Sequence, residues 1–232
     1  MSEVRQNLAT KEWMIIAVER SKRPHEFVEA KRNDCGDGPP WDARCPFCPG
    51  NEEMDLDVLR VPKEGPWRVR VVGNRYPALS VSGRLERQYI GLQRRISGVG
   101  YHEVIVESPH HSTCAALQTP DDVALVFRTF IERAWQVQAD RRMEYVLFFK
   151  NHGRNAGASL IHPHAQMVAL PMVPNDVRVR ADEARHHFDE VGRCAFCEMI
   201  EQELQLGARI ILESEHFAVF ALDGGGAGFP LH

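Results

Sequence analysis

Hydrophobic residues recur along the chain with two spacings, one typical of strands and the other typical of helices. Short apolar or alternating runs, bounded by Gly, Pro or Asn, predict strands in the part of the chain before residue 174. These runs lie at residues 12–20, 67–79, 100–109, 143–153 and 159–171. Residues 31–66 are rich in Gly, Pro, Asp and Cys, which predicts a loop region organised by something other than a hydrophobic core.

The clearest helix is predicted at residues 119–140. Thr119 is a suitable N-cap, and Pro120 and two acidic residues occupy the first turn. An apolar stripe at helical spacing then predicts one face against the core. The stripe consists of Val123, Val126, Phe127, Phe130, Ile131 and Ala134. We expect this helix to pack and to carry no chemistry.

A second segment begins after Pro174. Its pattern predicts two helices and then two strands, at about 175–190, 198–206, 208–214 and 216–222. The tail, residues 223–232, has no periodicity and adds no element that could pair with those strands. The pattern therefore predicts two domains, 1–174 and 175–232, of which the second begins and is cut short.

Composition and charge narrow the class of protein. The chain has 232 residues, of which 44% are hydrophobic and 26% are charged, so it can bury a core. The formal net charge is −4 and no arginine-rich run is present, which argues against a nucleic-acid partner. The N-terminus lacks an apolar signal segment and no apolar stretch approaches 18 residues. We therefore expect a soluble, cytoplasmic protein with no membrane partner.

Four of the six cysteines form two identical C-x-x-C spacings, CPFC and CAFC. The first pair, Cys45 and Cys48, lies in a Pro- and Gly-containing loop and offers two thiolates to one tetrahedral ion. In a cytosolic chain such pairs indicate metal or redox chemistry rather than a disulfide framework. Spacing alone leaves the other two ligands open among His102, His110, His111, His152, His162 and His164, or Cys194 and Cys197.

The stretch SLIHPHAQMVALP, residues 159–171, places His162, His164 and Gln166 at every second position. In an extended chain these side chains share one face. A neutral imidazole can attack phosphorus and then leave, so it suits a transferase that holds a nucleotidyl group briefly. A glutamine two residues away could donate its amide protons to a phosphoryl oxygen.

Two further segments are suited to phosphate. The loop GRNAGAS at 153–159 has glycines and small side chains, which let backbone N–H groups approach an anion. In ERSKRP at 19–24, Arg20 and Arg23 flank Lys22 and form a compact cationic cluster. The alternative for this cluster is an ordinary solvated basic turn.

The segment NHGRNAGASLIHPHAQ, residues 151–166, resembles the most specific motif of the galactose-1-phosphate uridylyltransferase family, a branch of the histidine-triad superfamily. The resemblance covers residues 11 to about 222. It implies an α+β fold, with a histidine-triad-like antiparallel sheet and helices, and a partial second copy of that domain. It implies that His164 is the nucleophile that becomes uridylylated and that Gln166 steadies the phosphoryl group. Phosphate or sugar contacts are implied for Asn151, Gly157 and Ser159.

The same resemblance implies a zinc site whose ligands are Cys45, Cys48, His111 and His162. The segment VGNRYPAL resembles the family's nucleotide-binding turn, which points to Asn74. ERSKRP matches a family segment that contacts the hexose phosphate through arginines, here Arg20 and Arg23. Cys194 and Cys197 are similar to a second zinc site of one branch, whose remaining ligands this sequence is expected to lack. A homodimer is implied when the second half is complete.

Some positions depart from the bacterial prototype of the family. Ile161 and Ala165 stand where the prototype has Pro and Gly, and Asn74-Arg75 stands where it has Asn-Asp. These residues are more similar to a broader branch that includes an ADP-glucose phosphorylase.

The leading expectation is a ping-pong enzyme of galactose metabolism, which transfers a uridylyl group from UDP-glucose to galactose 1-phosphate through His164. An alternative uses the same histidine for phosphorolysis of ADP-glucose or a dinucleoside polyphosphate. A second alternative is a non-catalytic, zinc-stabilised nucleotide-binding remnant. A third joins both C-x-x-C pairs on a single zinc and leaves the histidines out of the metal site.

Overall fold

The computed structural model describes residues 2–6, 13–17, 35–153 and 156–221 of the chain. Its internal contacts divide the chain into two units, Met1–Pro174 and Asn175–His232. The predicted phosphate-binding arginines, Arg20 and Arg23, lie outside the described residues, as does the tail at 223–232.

In its described part, the first unit contains nine strands, one α-helix and two short 3-10 turns. The strands are β1 (Glu3–Gln6), β2 (Trp13–Ile16), β3 (Asp57–Val61), β4 (Val69–Gly73), β5 (Arg87–Ile90), β6 (Gln93–Ser97), β7 (Tyr101–Val106), β8 (Tyr145–Phe149) and β9 (His164–Leu170). The helix is α1 (Pro120–Gln138), and the 3-10 turns are Met54–Leu56 and Ala115–Leu117. All strand pairs in both of the unit's sheets are antiparallel.

The larger sheet has the spatial order β3-β4-β7-β9-β8 and carries the predicted histidine strand near its middle. One face of this sheet packs on α1 and forms the main core, with Val71, Ile105 and Met167 fully buried. The opposite face carries the alternate residues of the same strands, including His164 and Gln166. Pairing on both sides therefore fixes the position of β9 within the sheet.

Helix α1 begins as predicted. The side chain of Thr119 accepts a hydrogen bond from the backbone N–H of Asp122 at 3.2 Å, and Pro120 follows at the first helical position. The predicted core stripe is wrong in part, because Phe127 and Ile131 are 59% and 58% exposed. The helix meets the sheet through Val126 and Phe130 of that stripe, together with Leu125 and Val137, which lie outside it.

The second sheet, with order β2-β1-β6-β5, was predicted only at β2. All four residues of β5 are exposed, so no apolar alternation marks that strand in the sequence. The prediction of loop over 31–66 is also wrong at its end, because β3 pairs with β4 there and buries Leu59. An edge strand of five residues after a Gly- and Pro-rich stretch gives little signal.

The second unit contains α2 (Asn175–Val191), α3 (Ala195–Leu206), β10 (Ile210–Glu213) and β11 (Ala218–Phe220). The two strands form an antiparallel pair. Helix α3 begins three residues earlier than predicted, because Cys194 is its N-cap and Cys197 lies in its first turn. Gly207 ends the helix with φ +65°, in the left-handed region that favours glycine. Antiparallel sheets with separate helices confirm the predicted α+β class.

Candidate functional site

Four buried side chains of the first unit converge on one point: Cys45, Cys48, His111 and His162. The Sγ atom of Cys48 lies 3.5 Å from Nδ1 of His111 and 3.6 Å from Nδ1 of His162. The Sγ atom of Cys45 lies 3.7 Å from the same Nδ1 of His162. A tetrahedral ion bonded to sulfur and nitrogen at ordinary lengths spaces those ligand atoms by about 3.6 Å. The cluster therefore fits a four-coordinate metal ion.

A knuckle formed by residues 42–51 holds the two cysteines. The backbone N–H of Cys45 donates to the carbonyl of Asp42, and the N–H of Cys48 donates to the carbonyl of Cys45, both at 3.2 Å. The side-chain amide of Asn51 donates to the carbonyls of Asp42 and Cys45 at 3.0 and 2.9 Å. Gly50 has φ +91°, a conformation that an L side chain rarely adopts. The turn residues of the motif thus orient both thiols.

The loop that carries His111 is fastened to the segment that leads into this knuckle. The backbone N–H of His111 donates to the carbonyl of Pro40 at 2.8 Å. A disulfide joins Cys35 to Cys114, with 6.0 Å between their Cα atoms. No motif in the sequence marks this pair, because 79 residues separate the two cysteines. The structure thereby connects two ligand-bearing segments that lie far apart in the chain.

The backbone selects the nitrogen that His162 presents to the cluster. Nε2 of His162 lies 2.8 Å from the carbonyl oxygen of Ser108, so it donates its proton there. Nδ1 then carries the lone pair, and Nδ1 is the atom that faces Cys45 and Cys48. Burial lowers the pKa of His162 to about 4, which keeps the ring neutral near pH 7. His162 precedes β9 rather than lying within it, so the predicted three-residue face on the strand begins at His164.

His164 is held in the tautomer opposite to that of His162, with its proton on Nδ1. Its Nδ1 lies 2.7 Å from the backbone carbonyl oxygen of His162 and therefore donates to it. The neutral ring then has its lone pair on Nε2. The ring is buried against Phe47, with 5.5 Å between the centroids. A histidine in this state can act as a nucleophile through Nε2.

A cleft opens beside His164. Asn74, Ser159 and Gln166, all predicted site residues, line it together with His164. The structure therefore places the predicted nucleophile, its glutamine partner and two predicted substrate contacts around one cavity.

Two other predicted contacts are not part of this cavity wall. Asn151 and Gly157 lie in the described parts of the loop before β9 but not among the residues that line the cleft. Gly157 has φ +77°, which explains the glycine at that position by backbone conformation. Their assignment as phosphate or sugar contacts stays a prediction.

The wall of the cleft also contains a buried cation that was not among the predicted site residues. Arg70 is 1% exposed, and its Nε lies 3.1 Å from Oδ1 of Asp57. Its guanidinium also lies over the ring of Trp67, 5.4 Å from the centroid. The alternation in β4 could have revealed it, since Arg70 occupies a buried position between Val69 and Val71.

Comparison with known proteins identifies the family. A family model described as galactose-1-phosphate uridyl transferase, N-terminal domain, matches residues 1–174. The chain belongs to this family. The match covers all of the first unit, and with it the four-ligand cluster and the cleft.

Two curated relatives illustrate the range of activities among its members. The chain is 36% identical over 223 residues to an ADP-glucose phosphorylase of Arabidopsis thaliana, with 94% of this chain and 61% of the relative covered. It is 28% identical over 218 residues to a galactose-1-phosphate uridylyltransferase of Thermotoga maritima, with the same coverage. The chain thus spans about three fifths of the length of these relatives.

Solved structures agree with this assignment. An ADP-glucose phosphorylase from Arabidopsis thaliana, crystallised with bound ADP-glucose, matches with a TM-score of 0.63 and 31% identity over 94% of this chain and 63% of its own. A uridylyltransferase structure matches with a TM-score of 0.69 and 26% identity, covering 94% of this chain and 60% of its own.

Among the residues that the structure describes, no helix is long and apolar enough to span a membrane.

The second C-x-x-C pair differs from the first. Cys194 and Cys197 are exposed thiols of the second unit. Within the described residues, these two thiols do not belong to a group of three or more side chains that could hold a metal. Cys45 and Cys48, by contrast, lie beside two histidines of their own unit. The geometry therefore favours the four-ligand set over a single ion held by both cysteine pairs.

Proposed function

We propose that this chain is a nucleotidyltransferase that acts on a nucleotide sugar through a covalent nucleotidyl-histidine at His164. The observation that carries the proposal is the bond from Nδ1 of His164 to the carbonyl of His162, inside a cleft that Gln166 also lines. That bond leaves Nε2 as the nucleophilic atom. Membership of the family supports the reaction class.

The reaction follows in two displacements. Nε2 of His164 attacks the α-phosphorus of the nucleotide sugar, a P–N bond forms, and the P–O bond to the leaving sugar 1-phosphate breaks. The ring gains positive charge in this step, and the carbonyl of His162, accepting from Nδ1–H, stabilises it. An oxygen of the acceptor phosphate then attacks the same phosphorus and the P–N bond breaks, which returns the ring to its neutral form.

Gln166 contributes to both displacements. Its side chain lines the cleft two residues along β9 from the nucleophile. An amide N–H donated to the phosphoryl oxygens stabilises the charge that develops on them in the transition state. Asn74 and Ser159, which also line the cleft, contact the nucleotide or its phosphates in this proposal.

We assign zinc to the cluster of Cys45, Cys48, His111 and His162. Two thiolates and two neutral imidazoles are a donor set that suits Zn²⁺, and four protein ligands leave no open position for substrate. When bound, the ion supplies structural cross-linking rather than reaction chemistry. It would hold the knuckle, the His111 loop and the residue before β9 together, and so position His164.

The assignment predicts a steep pH dependence of zinc affinity. Burial raises the pKa of the Cys45 thiol to about 12 without metal, so the ion must displace a proton to bind that sulfur. Each cysteine releases a proton when it binds the ion, whereas a neutral histidine releases none. The apparent association constant of zinc should therefore rise about 100-fold per pH unit between pH 6 and 7.5. Competition with a calibrated chelator measures it. Cys45→Ser should reduce the slope to about tenfold per unit, and a slope near zero in the wild type would contradict the ligand set.

Two donor and acceptor pairs are candidates. The family name and the Thermotoga maritima relative support UDP-glucose as donor and galactose 1-phosphate as acceptor. The higher identity to the phosphorylase, 36% against 28%, favours ADP-glucose as donor and inorganic phosphate as acceptor. Arg75, paired with Glu53 at 3.0 Å in the cleft wall, stands where the resemblance marks a departure from the uridylyltransferase prototype.

Product analysis with each donor and each acceptor separates the two candidates. The zinc-loaded chain is incubated with UDP-glucose or ADP-glucose, and with galactose 1-phosphate or phosphate, in all four combinations. Turnover with a hexose 1-phosphate only would establish the transferase, and turnover with phosphate only would establish the phosphorylase. If the wild-type chain forms no product in any of the four combinations, the result would favour the non-catalytic remnant.

Three further predictions concern the second unit, the oligomeric state and the cellular location of the protein. We propose that the second unit belongs to a second histidine-triad-like domain, and that a protein with both such domains forms a homodimer. A cytoplasmic location also stays a proposal.

A further inference from the structure

His102 is buried on the cleft face of the main sheet but lies outside the metal cluster. In the antiparallel register of β7 and β9, Val104 lies opposite Gln166 and Val106 lies opposite His164. Directly paired residues share a face, and His102 continues that face two residues before Val104. From the sequence alone, His102 is only one of several candidate metal ligands.

The backbone determines the tautomer of His102. The N–H of Ala78 lies 2.9 Å from Nδ1 of His102 and can only donate, so Nδ1 is the unprotonated nitrogen. The single proton of the neutral ring is therefore on Nε2. Since a backbone amide cannot rotate to become an acceptor, this assignment does not depend on the orientation of any side-chain amide.

The tautomer in turn orients Gln166. Nε2 of His102 lies 3.0 Å from Oε1 of Gln166, so Nε2–H donates to that oxygen. The opposite orientation of the carboxamide would place its NH₂ group against another N–H donor. The NH₂ group of Gln166 is consequently directed away from His102.

A neighbouring amide does not compete for this proton. Nδ2 of Asn74 lies 3.1 Å from the same Nε2, but it too is a donor. Its orientation is fixed because the backbone N–H of Tyr76 donates to Oδ1 of Asn74 at 2.9 Å. Two N–H groups cannot bond to each other, which leaves Oε1 of Gln166 as the acceptor among these groups.

We propose that His102 is a positioning residue that holds the carboxamide of Gln166 with its NH₂ group available to the transferring phosphoryl group. This proposal rests on the proposed function of His164 and adds to it the origin of the orientation of Gln166. The relay runs from the Ala78 N–H through the imidazole to Oε1 of Gln166. The main-chain turn after β4 thereby sets the direction of a donor on β9.

Two conservative substitutions separate positioning from simple burial. In His102→Gln, the amide nitrogen can reach the place of Nε2 and donate to Gln166, while the N–H of Ala78 loses its acceptor. In His102→Asn, the shorter amide can accept from Ala78 but does not reach Gln166. Positioning therefore predicts that His102→Asn is the slower variant, and a purely structural role predicts the reverse order.

The rate of formation of the nucleotidyl enzyme in a single turnover is the readout, with whichever donor reacts with the wild type. We expect His102→Asn to slow this step about 10- to 100-fold, while His102→Gln regains most of the loss. Donor affinity should change less than about threefold in both. In a Gln166→Ala background, His102→Asn should cost less than about threefold more, because the group it orients is absent.

Thermal unfolding and zinc content show whether each variant is folded. Equal rates for His102→Asn and the wild type, or a full additive loss in the Gln166→Ala background, would overturn the proposal while the proposed function stands. A wild-type chain that forms no nucleotidyl enzyme would refute the proposed function itself, and the positioning role with it.

Discussion

His111→Ala is expected to remove the tightly bound zinc from the first unit and to lower its thermal stability. The substitution leaves three ligands, and without the ion the buried Cys45 thiol stays protonated. Structural zinc binding carries about 10–16 kcal/mol in small domains, and a loss of only about 5 kcal/mol would lower the unfolding midpoint by roughly 10–20 °C. Metal content of the purified protein and a melting curve measure both effects.

Cys194→Ser is the matched control for this experiment. It removes one thiol from the exposed pair of the second unit, which is not part of the four-ligand cluster. We expect this variant to retain one tightly bound zinc per chain and the wild-type unfolding midpoint of the first unit. If Cys194→Ser loses the tight zinc and His111→Ala keeps it, the proposed ligand set is wrong.

His164→Ala is expected to reduce turnover at least about 10⁴-fold with either donor. The substitution removes the nitrogen that forms the covalent bond, and in this proposal no other group of the cleft replaces it. The zinc ligands and the core are untouched, so zinc content and the unfolding midpoint should stay close to those of the wild type. Initial rates of sugar 1-phosphate release measure the effect.

His186→Ala provides a histidine control for the same assay. His186 is exposed on α2 of the second unit, and its Nε2 lies 3.1 Å from Oε1 of Glu190. Its removal should leave the rate unchanged within about twofold, as expected for a surface substitution. Turnover that survives in His164→Ala would contradict the covalent mechanism.

The residue types of the candidate site are easier to predict from the sequence than their arrangement in space. Alternation alone predicts that His164 and Gln166 share one face, and the C-x-x-C spacing within a Pro- and Gly-containing loop favours a metal at Cys45 and Cys48. Spacing did not distinguish His111 and His162 from the other candidate histidines; only the resemblance did. Their approach depends on the β7–β9 register and on contacts such as the Pro40–His111 hydrogen bond, which no local pattern encodes.

Other features were missed because their signals are weak or distributed. The strands β5 and β6 are short, β5 is exposed throughout and β6 buries only Ile96, so neither shows the alternation that marks β4 and β7. The core face of α1 differs from the stripe in the sequence, since packing against a sheet selects among apolar positions that periodicity treats alike. The role of His102 follows from the backbone N–H of Ala78, which only the folded structure brings to the ring.

The most direct test of the covalent mechanism is the mass of the intact zinc-loaded protein after reaction with UDP-glucose or ADP-glucose in the absence of acceptor. A covalent nucleotidyl-histidine predicts a gain of one nucleotidyl group with at least one donor, located on the peptide that contains His164 and absent from His164→Ala. No mass gain with either donor, or a gain that persists in His164→Ala, would contradict it.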